Sequence, residues 1–158
     1  MSAQAETPAK SELWFYHLER SELESVLPPL LEKCLARGWK ALVRGGAPER
    51  LDALDVSLWT FRDDSFLPHG RDNDANAARQ PVLLSEKDGN PNGAQALFVI
   101  DGADVSDASE FARACLLFDG RDEHAVKRAR AQWKDVKGAG VDASYWRENA
   151  AGRWEKQA

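Results

Sequence analysis

Apolar residues recur along the chain in patterns that predict an alternation of strands and helices. Leu13 to Leu18 form a continuous apolar and aromatic run, which is typical of a strand buried on both faces. Apolar residues then follow at the i, i+3, i+4, i+7 spacing of an amphipathic helix, from Leu23 to Leu35. Pro28 and Pro29 interrupt this spacing. Because proline is tolerated in the first helical turn, we expect both to lie there.

The remaining segments continue the alternation. Gly38 is a natural stop for the first helix. The pattern predicts further strands at 39–43, 81–85, 96–100 and 116–118, further helices at 48–58, 106–114 and 123–137, an irregular aromatic stretch at 59–70, loops at 70–80 and 86–94, and a short C-terminal tail at 141–154. This order favours the α/β class, with a mostly parallel central sheet flanked by helices.

The length of 158 residues fits one domain. Residues 1–12 are polar and predict a disordered N-terminal tail, which leaves residues 13–154 as a single α/β domain. The first twelve residues lack the apolar core of an export signal, and no apolar run approaches the ~20 residues that cross a bilayer. We therefore expect a cytoplasmic protein.

Charge and cysteine content narrow the possible functions. The formal net charge of −5 argues against nucleic-acid binding by the protein as a whole, which usually needs a basic face. Cys34 and Cys115 both sit in apolar segments. We expect them to be buried free thiols, since a disulfide is improbable in a chain without an export signal.

An enzyme site is the main alternative. In a parallel sheet, His17, Gly45-Gly46, His69 and Asp101 would lie near the carboxyl ends of the strands, where α/β proteins bind ligands. The glycine pair lacks the Lys and Ser/Thr of a phosphate-binding loop and the third glycine of a dinucleotide fingerprint. His17 and Asp101 could pair as base and orienter, but no nucleophile motif accompanies them. The three histidines lack the spacing of a metal site. A nucleotide- or phosphate-using enzyme with His17, Gly45, Gly46 and Asp101 stays the alternative hypothesis.

The last predicted helix is strongly basic. Residues 127–137 carry net charge +4, from Asp135 and the five cations Lys127, Arg128, Arg130, Lys134 and Lys137. At about 100° per residue, all of these cations except Arg128 share one arc, and Trp133 lies where the arc meets the apolar stripe. This suits an acidic ligand that ends in an apolar or aromatic group. From the helix pattern alone, the commoner explanation of the basic arc is a solvent-exposed helix face whose tryptophan belongs to the core. A further alternative is that the arc binds single-stranded DNA, with a base stacked on Trp133.

Three features together resemble the chi subunit family of bacterial DNA polymerase III. They are the order of elements, the pair Leu58-Trp59 followed by the run from Ser65 to His69 (SFLPH), and the C-terminal RARAQWKDVKGAGV. The likeness extends from about Leu13 to Trp146. It implies a Rossmann-like fold without a nucleotide or other cofactor, without enzymatic activity and without a metal, in an accessory subunit of the clamp-loader complex.

The resemblance also implies two partner surfaces. Chi-like proteins bind the acidic, Phe-ended C-terminal tail of the single-stranded-DNA-binding protein through their last long helix, and Arg130, Trp133 and Lys134 match that motif. Lys127 and Lys137 share the cationic arc, although Lys127 is out of register with the family lysine. A second family surface binds the psi subunit or a competing helicase, and Trp59 and Phe66 match its aromatic positions.

Overall fold

The computed structural model describes residues 11–60, 67–87, 89–105 and 107–158. Its strands and helices follow one another as β1 (Glu12–Leu18), α1 (Leu23–Ala36), β2 (Ala41–Arg44), α2 (Pro48–Thr60), β3 (Gly70–Arg71), β4 (Val82–Ser85), β5 (Ala96–Val99), β6 (Arg113–Asp119), α3 (Glu123–Gly138), β7 (Asp142–Glu148) and β8 (Trp154–Lys156). Single turns of 3-10 helix lie at Ala77–Arg79 and Ala108–Glu110.

The strands form one sheet in the order β3-β4-β2-β5-β6-β1-β7-β8. All neighbours run parallel except β7 and β8, which pair antiparallel. The N-terminal strand therefore lies inside the sheet, where Phe15 is in register with Leu116 of β6 and with Tyr145 of β7. The prediction of an α/β fold with a mostly parallel sheet flanked by helices is confirmed.

Side chains alternate across the sheet and build two cores. Helices α1 and α2 cover one face, where Leu31 and Leu54 pack with sheet residues such as Phe98. Helix α3 and the connection before β6 cover the other face, where Ala129 and Phe15 belong to the same cluster. Burying a leucine or phenylalanine contributes about 1.5–3 kcal/mol, so each helix is held to the sheet mainly by its apolar stripe.

The helix predicted at 106–114 was wrong. Of its described residues, 108–110 form a 3-10 turn, and β6 has already begun at Arg113. Arg113 is in register with Glu12 of β1 and with Ala96 of β5. Pairing on both sides, in the interior of the sheet, outweighs the helical propensity of the alanines in this segment.

The C-terminal tail predicted at 141–154 was also wrong, because these residues form β7 and begin β8. Successive side chains of β7 point to opposite faces of the sheet. Tyr145 packs in the core under α3, whereas Trp146 lies on the other face with its ring centroid 5.6 Å from that of Trp14. The tail is thus the edge hairpin of the sheet.

Pro28 and Pro29 lie in the middle of α1 rather than in its first turn. A hydrogen-bonded turn precedes them, since the amides of Ser25 and Val26 donate to the carbonyl of Glu22. Each proline removes one helical hydrogen bond, and the full burial of neighbouring leucines offsets this cost. The predicted stop is confirmed: α1 ends at Ala36, and Gly38 follows with a φ of +80°.

Two predicted loops contain more structure than their composition indicated. In the 70–80 loop, the first two residues form β3 beside β4, and 77–79 form a 3-10 turn. The 86–94 loop is fastened by Asn92, whose side-chain amide donates to the carbonyls of Ala41 and Gln80. Backbone polar groups at this end of the sheet thereby gain partners that a free loop would lack.

Arg44 fastens two connections to the end of β2. Its guanidinium is 1% exposed and donates to both carboxylate oxygens of Asp107, at 2.7 and 3.0 Å. It also donates to the carbonyls of Asp104 and Gly89. A buried guanidinium needs such partners, so this ion pair holds the 86–94 loop against the connection that precedes β6.

The first ten residues of the predicted N-terminal tail lie outside the described residues. The last two belong to the fold, since Glu12 begins β1 and the Ser11 hydroxyl donates to the carbonyl of Phe111 at 2.6 Å. Cys34 and Cys115 are buried and unpaired, as predicted. No helix in the described ranges is long and apolar enough to span a membrane.

The carboxylate of Glu148, at the end of β7, holds the turn that leaves β1. One oxygen accepts hydrogen bonds from the amides of Glu19, Arg20 and Ser21 at 2.8–3.2 Å, and the other accepts from the Ser21 hydroxyl at 2.5 Å. The residue is only 3% exposed. Burial favours the neutral acid, but these hydrogen bonds outweigh it and lower the pKa of Glu148 to about 2.

We expect Glu148→Gln to lower the free energy of unfolding at pH 7 by about 1–3 kcal/mol, since it removes a charged acceptor from four donors. Because the folded pKa is depressed, the parent should keep this contribution above pH ~4.5 and lose it as the pH falls towards 2. Urea unfolding followed by circular dichroism at several pH values measures both effects. The exposed Glu86→Gln is the control, and equal stability of the Glu148 variant at pH 7 would contradict the anchor role.

Candidate protein-binding surface

Helix α3 begins at a side-chain cap and packs on the sheet through a narrow apolar stripe. The Asp122 carboxylate accepts from the amides of His124 and Ala125 at the helix N-terminus. Ala129 and Val136, seven residues apart, are its buried positions. The prediction of a helix over 123–137 is confirmed, with its charged residues left at the surface.

One side of α3 faces the β5 end of the sheet. The Gln132 side chain donates to the carbonyl of Ala103 at 3.3 Å, and Arg128 lies directly against Gly102. Since Arg128 and Gln132 lie across the helix from Arg130, the cationic arc borders the opposite end, where β7 and β8 form the edge. The arc and the edge strands thus form one surface.

Trp133 sits at the seam between this arc and the core. Its ring is edge-on to Phe15, with centroids 5.2 Å apart, and edge-on to Tyr145, with centroids 5.7 Å apart. The ammonium of Lys137 lies 5.4 Å from the indole centroid. The indole is only partly buried, so part of it stays exposed beside the cations, at the seam that the helical wheel predicted; this exposed aromatic surface of Trp133 and Tyr145 is called the notch.

The cations of α3 have no acidic partners in the described part of the chain. Elsewhere, six arginines each form an ion pair with a carboxylate: Arg44, Arg50, Arg71, Arg113, Arg121 and Arg147. The exposed side chains of Lys127, Arg130, Lys134 and Lys137 form no ion pair with any carboxylate of the described residues. Their charges therefore remain available to an external anion, in a protein whose net charge is −5.

Beside the notch, a buried histidine contacts Tyr145. His17 Nδ1 and the Tyr145 hydroxyl share a hydrogen bond of 2.6 Å. Burial lowers the pKa of His17 below its ordinary value, and the positive charges of Arg147 and Arg130 lower it further. Burial raises the pKa of Tyr145, while the same two arginines oppose the rise. Arg130 and Arg147 thus act on one pair of rings.

The groups proposed for an enzyme site do not come together. The carboxylate of Asp101 lies 3.3 Å from Nε of Arg50 rather than pairing with His17. The amide of Gly45 donates to the carbonyl of Ser85, and a side chain there would meet Leu51, so this glycine allows close packing instead of forming a phosphate cradle. The alternative of a His17–Asp101 pair with a phosphate cradle at Gly45 is therefore not supported, and the tight turn expected at the glycine pair agrees with the close packing of Gly45.

His69 was expected near the carboxyl edge but lies at the other end of the sheet. It precedes β3, and Gly70 is in register with the second residue of β4, so His69 is level with the start of β4. Its ring nitrogens bond to the carbonyl of Leu67 and to Asp55 of α2. His69 therefore ties the residues that directly precede β3 to α2.

A cleft of about 280 Å³ does occupy the carboxyl edge, between the starts of α1 and α3. Two of its arginines are neutralised from within, Arg50 by Glu24 and Asp101, and Arg121 by Asp119 and Glu22. Within the described ranges, no group of three or more His, Cys, Asp and Glu residues could hold a metal ion.

The second predicted surface lies on α2. Trp59 is 50% exposed and Val56 is 64% exposed, which makes them the exposed large apolar side chains of the described residues. The Trp59 ring lies 4.3 Å from the buried ring of His69, so the orientation of the indole is supported from below. Phe66, its predicted companion, lies outside the described residues.

The sequence pattern did not predict that Tyr145 and Arg147 lie beside α3, because the β7 segment was predicted to be a tail. Residues 143, 145 and 147 share the face of the sheet that α3 covers, and the alternation of a strand was the available signal. The contact of Phe15 with Trp133 was not predicted either, since an apolar run that is buried on both faces does not show which face of the sheet a given ring lies on.

Two comparisons with known proteins show what the chain is similar to. Residues 11–144 match the family described as DNA polymerase III chi subunit, HolC. A similar protein is the "Probable DNA polymerase III subunit chi" of Rickettsia prowazekii (strain Madrid E), 29% identical over 91 residues. That alignment covers 58% of this chain and 55%, or about half, of the relative. Since the family match covers most of the sequence, the chain belongs to the DNA polymerase III chi subunit family.

Proposed function

We propose that this protein is a non-catalytic accessory subunit of the DNA polymerase III clamp-loader complex, acting in the cytoplasm. We propose that it binds the acidic, Phe-ended C-terminal tail of the single-stranded-DNA-binding protein and so links that protein to the replication machinery. The observation that carries the proposal is the row of cations on α3 beside the Trp133 notch, which form no ion pair within the described ranges.

The surface has both features that such a tail requires. Carboxylates of the tail would meet Arg130, Lys134 and their neighbours, which have no internal carboxylate to release first in the described chain. A terminal phenylalanine would pack in the notch formed by Trp133 and Tyr145. At the carboxyl edge, by contrast, Arg50 and Arg121 already pair with carboxylates of the protein.

We expect a synthetic peptide with an acidic run and a C-terminal Phe to bind with micromolar affinity, and to bind more weakly as salt is raised. Arg130→Ala and Trp133→Ala should each cost roughly 1–3 kcal/mol of binding free energy. Fluorescence anisotropy of the labelled peptide measures the affinity, and thermal unfolding verifies that each variant is folded.

Arg128→Ala is the matched control, because it removes the same charge from the side of α3 that faces Gly102. It should leave the affinity within about twofold of the parent. Binding that is unchanged in Arg130→Ala and Trp133→Ala would refute the site. A single-stranded oligonucleotide that binds more tightly than the peptide would favour direct DNA binding instead.

We further propose that the α2 surface, with Trp59 and with Phe66 from the adjoining sequence, receives a psi-like subunit or a helicase. Trp59 and Val56 expose apolar area on one helix, and an aromatic anchor of this kind dominates many interfaces. Helix α2 covers the face of the sheet opposite α3, so this surface is separate from the tail site.

We expect Trp59→Ala to weaken binding of a psi-like subunit at least tenfold in calorimetric titration, and to leave binding of the tail peptide unchanged. Thr60→Ala, at the next exposed position of α2, is the control. Equal affinity of the Trp59 variant for the subunit would remove Trp59 from the interface.

A further inference from the structure

We propose that Arg147 of β7 joins Arg130 of α3 in a two-guanidinium clamp for the terminal carboxylate of the bound tail, and that Glu19 occupies Arg147 until the tail arrives. This inference rests on the proposed function, and it adds a residue outside the helix to the site.

Arg130 and Arg147 lie on the same side of the notch. Short connections join α3 to β6 and β7, so the helix runs antiparallel to both strands. Arg130 lies three residues closer than Trp133 to the N-terminus of α3, which places it about 4.5 Å nearer to the carboxyl edge of the sheet. Arg147 lies two residues after Tyr145 on β7, on the same face of the sheet, which places it about 6.6 Å nearer to the same edge.

The charges of both guanidiniums affect the rings of His17 and Tyr145 below them. His17 is in register with Arg147 and hydrogen-bonded to Tyr145. The positive charges of Arg147 and Arg130 both reach His17 and Tyr145. His17 is 7% exposed, and burial, with these charges, lowers its pKa, so the floor of the clamp is neutral and does not compete for an anion.

Arg147 already binds one carboxylate of the protein, that of Glu19. Its Nη2 donates to Oε1 of Glu19 at 2.6 Å, and both side chains are partly exposed. This hydrogen bond lowers the pKa of Glu19, which is therefore ionised at neutral pH. Glu19 follows β1 directly and shows that the position accepts a carboxylate oxygen.

The carboxylate of the tail that would reach the clamp is the α-carboxylate of its last residue. A terminal phenylalanine carries its ring and its α-carboxylate on one residue. With the ring on Trp133 and Tyr145, the carboxylate lies within a few ångströms of the notch, on the side where Arg130 and Arg147 stand. The aspartates further back along the tail are left to Lys127, Lys134 and Lys137, which extend along α3.

The test compares two labelled peptides, one with a free C-terminal carboxylate and one with a C-terminal amide, on the parent and three variants. The variants are Arg147→Ala, Glu19→Gln and Arg121→Ala, and Arg147→Lys is added as a fourth to separate charge from geometry. We expect Arg147→Ala to weaken the carboxylate peptide about fivefold to tenfold and the amide peptide by less than twofold. Glu19→Gln should strengthen the carboxylate peptide about twofold to threefold, because the competing anion is gone. Arg121→Ala, which breaks a similar surface ion pair elsewhere, should change neither peptide.

Each outcome is decisive. If Arg147→Ala binds the carboxylate peptide as tightly as the parent, or weakens both peptides equally, the clamp is overturned while the tail site on α3 stands. If the parent binds neither peptide, the proposed function fails and the clamp fails with it. Arg147→Lys, which keeps the charge without the forked donors, should recover only part of the loss.

Discussion

The contact of Trp133 with Phe15 and Tyr145 is the interaction on which the α3 surface depends. The indole meets both rings edge-on, with centroids between 5.2 and 5.7 Å apart, and those rings come from two neighbouring strands. This packing fixes how far α3 is rotated about its axis, because the buried stripe beside it consists of small side chains such as Ala129. The rotation in turn decides which charges lie at the edge of the sheet. A cationic arc and a partly open notch are therefore consequences of one aromatic contact.

The sequence allowed α3 to be predicted well, because a long amphipathic helix with a distinct charge pattern needs no information from distant residues. It did not allow β7 to be recognised, and only residues 116–118 of β6 were predicted as a strand, since both strands depend on pairing with β1, which lies about a hundred or more residues earlier. The candidate surface was predicted only in part for the same reason. Arg130, Trp133 and Lys134 share one helix, whereas Phe15, Tyr145 and Arg147 become neighbours of that helix only through the sheet. His69 was misplaced because it precedes a two-residue strand that the composition of its loop concealed.

The distribution of charge separates internal structure from surfaces for partners. At the carboxyl edge, arginines and carboxylates neutralise one another, and Arg44 is buried with Asp107. On α3 the cations lack such partners in the described chain, although the protein as a whole is acidic. The apolar pair on α2 lies on the opposite face of the sheet. The two surfaces proposed for partners therefore lie on opposite faces of the sheet and differ in their chemistry.

The position of β1 between β6 and β7 has a consequence for the order in which the protein is made. β1 is paired on one side with β7, a strand that the ribosome makes about 130 residues later. Phe15 gains its neighbour Tyr145 only when that strand has been made, and Glu148 closes the turn after β1 only then. A chain that stops short of β7 would carry the basic helix without the floor beneath it. The folded surface on α3 thus marks a molecule whose synthesis has passed β7.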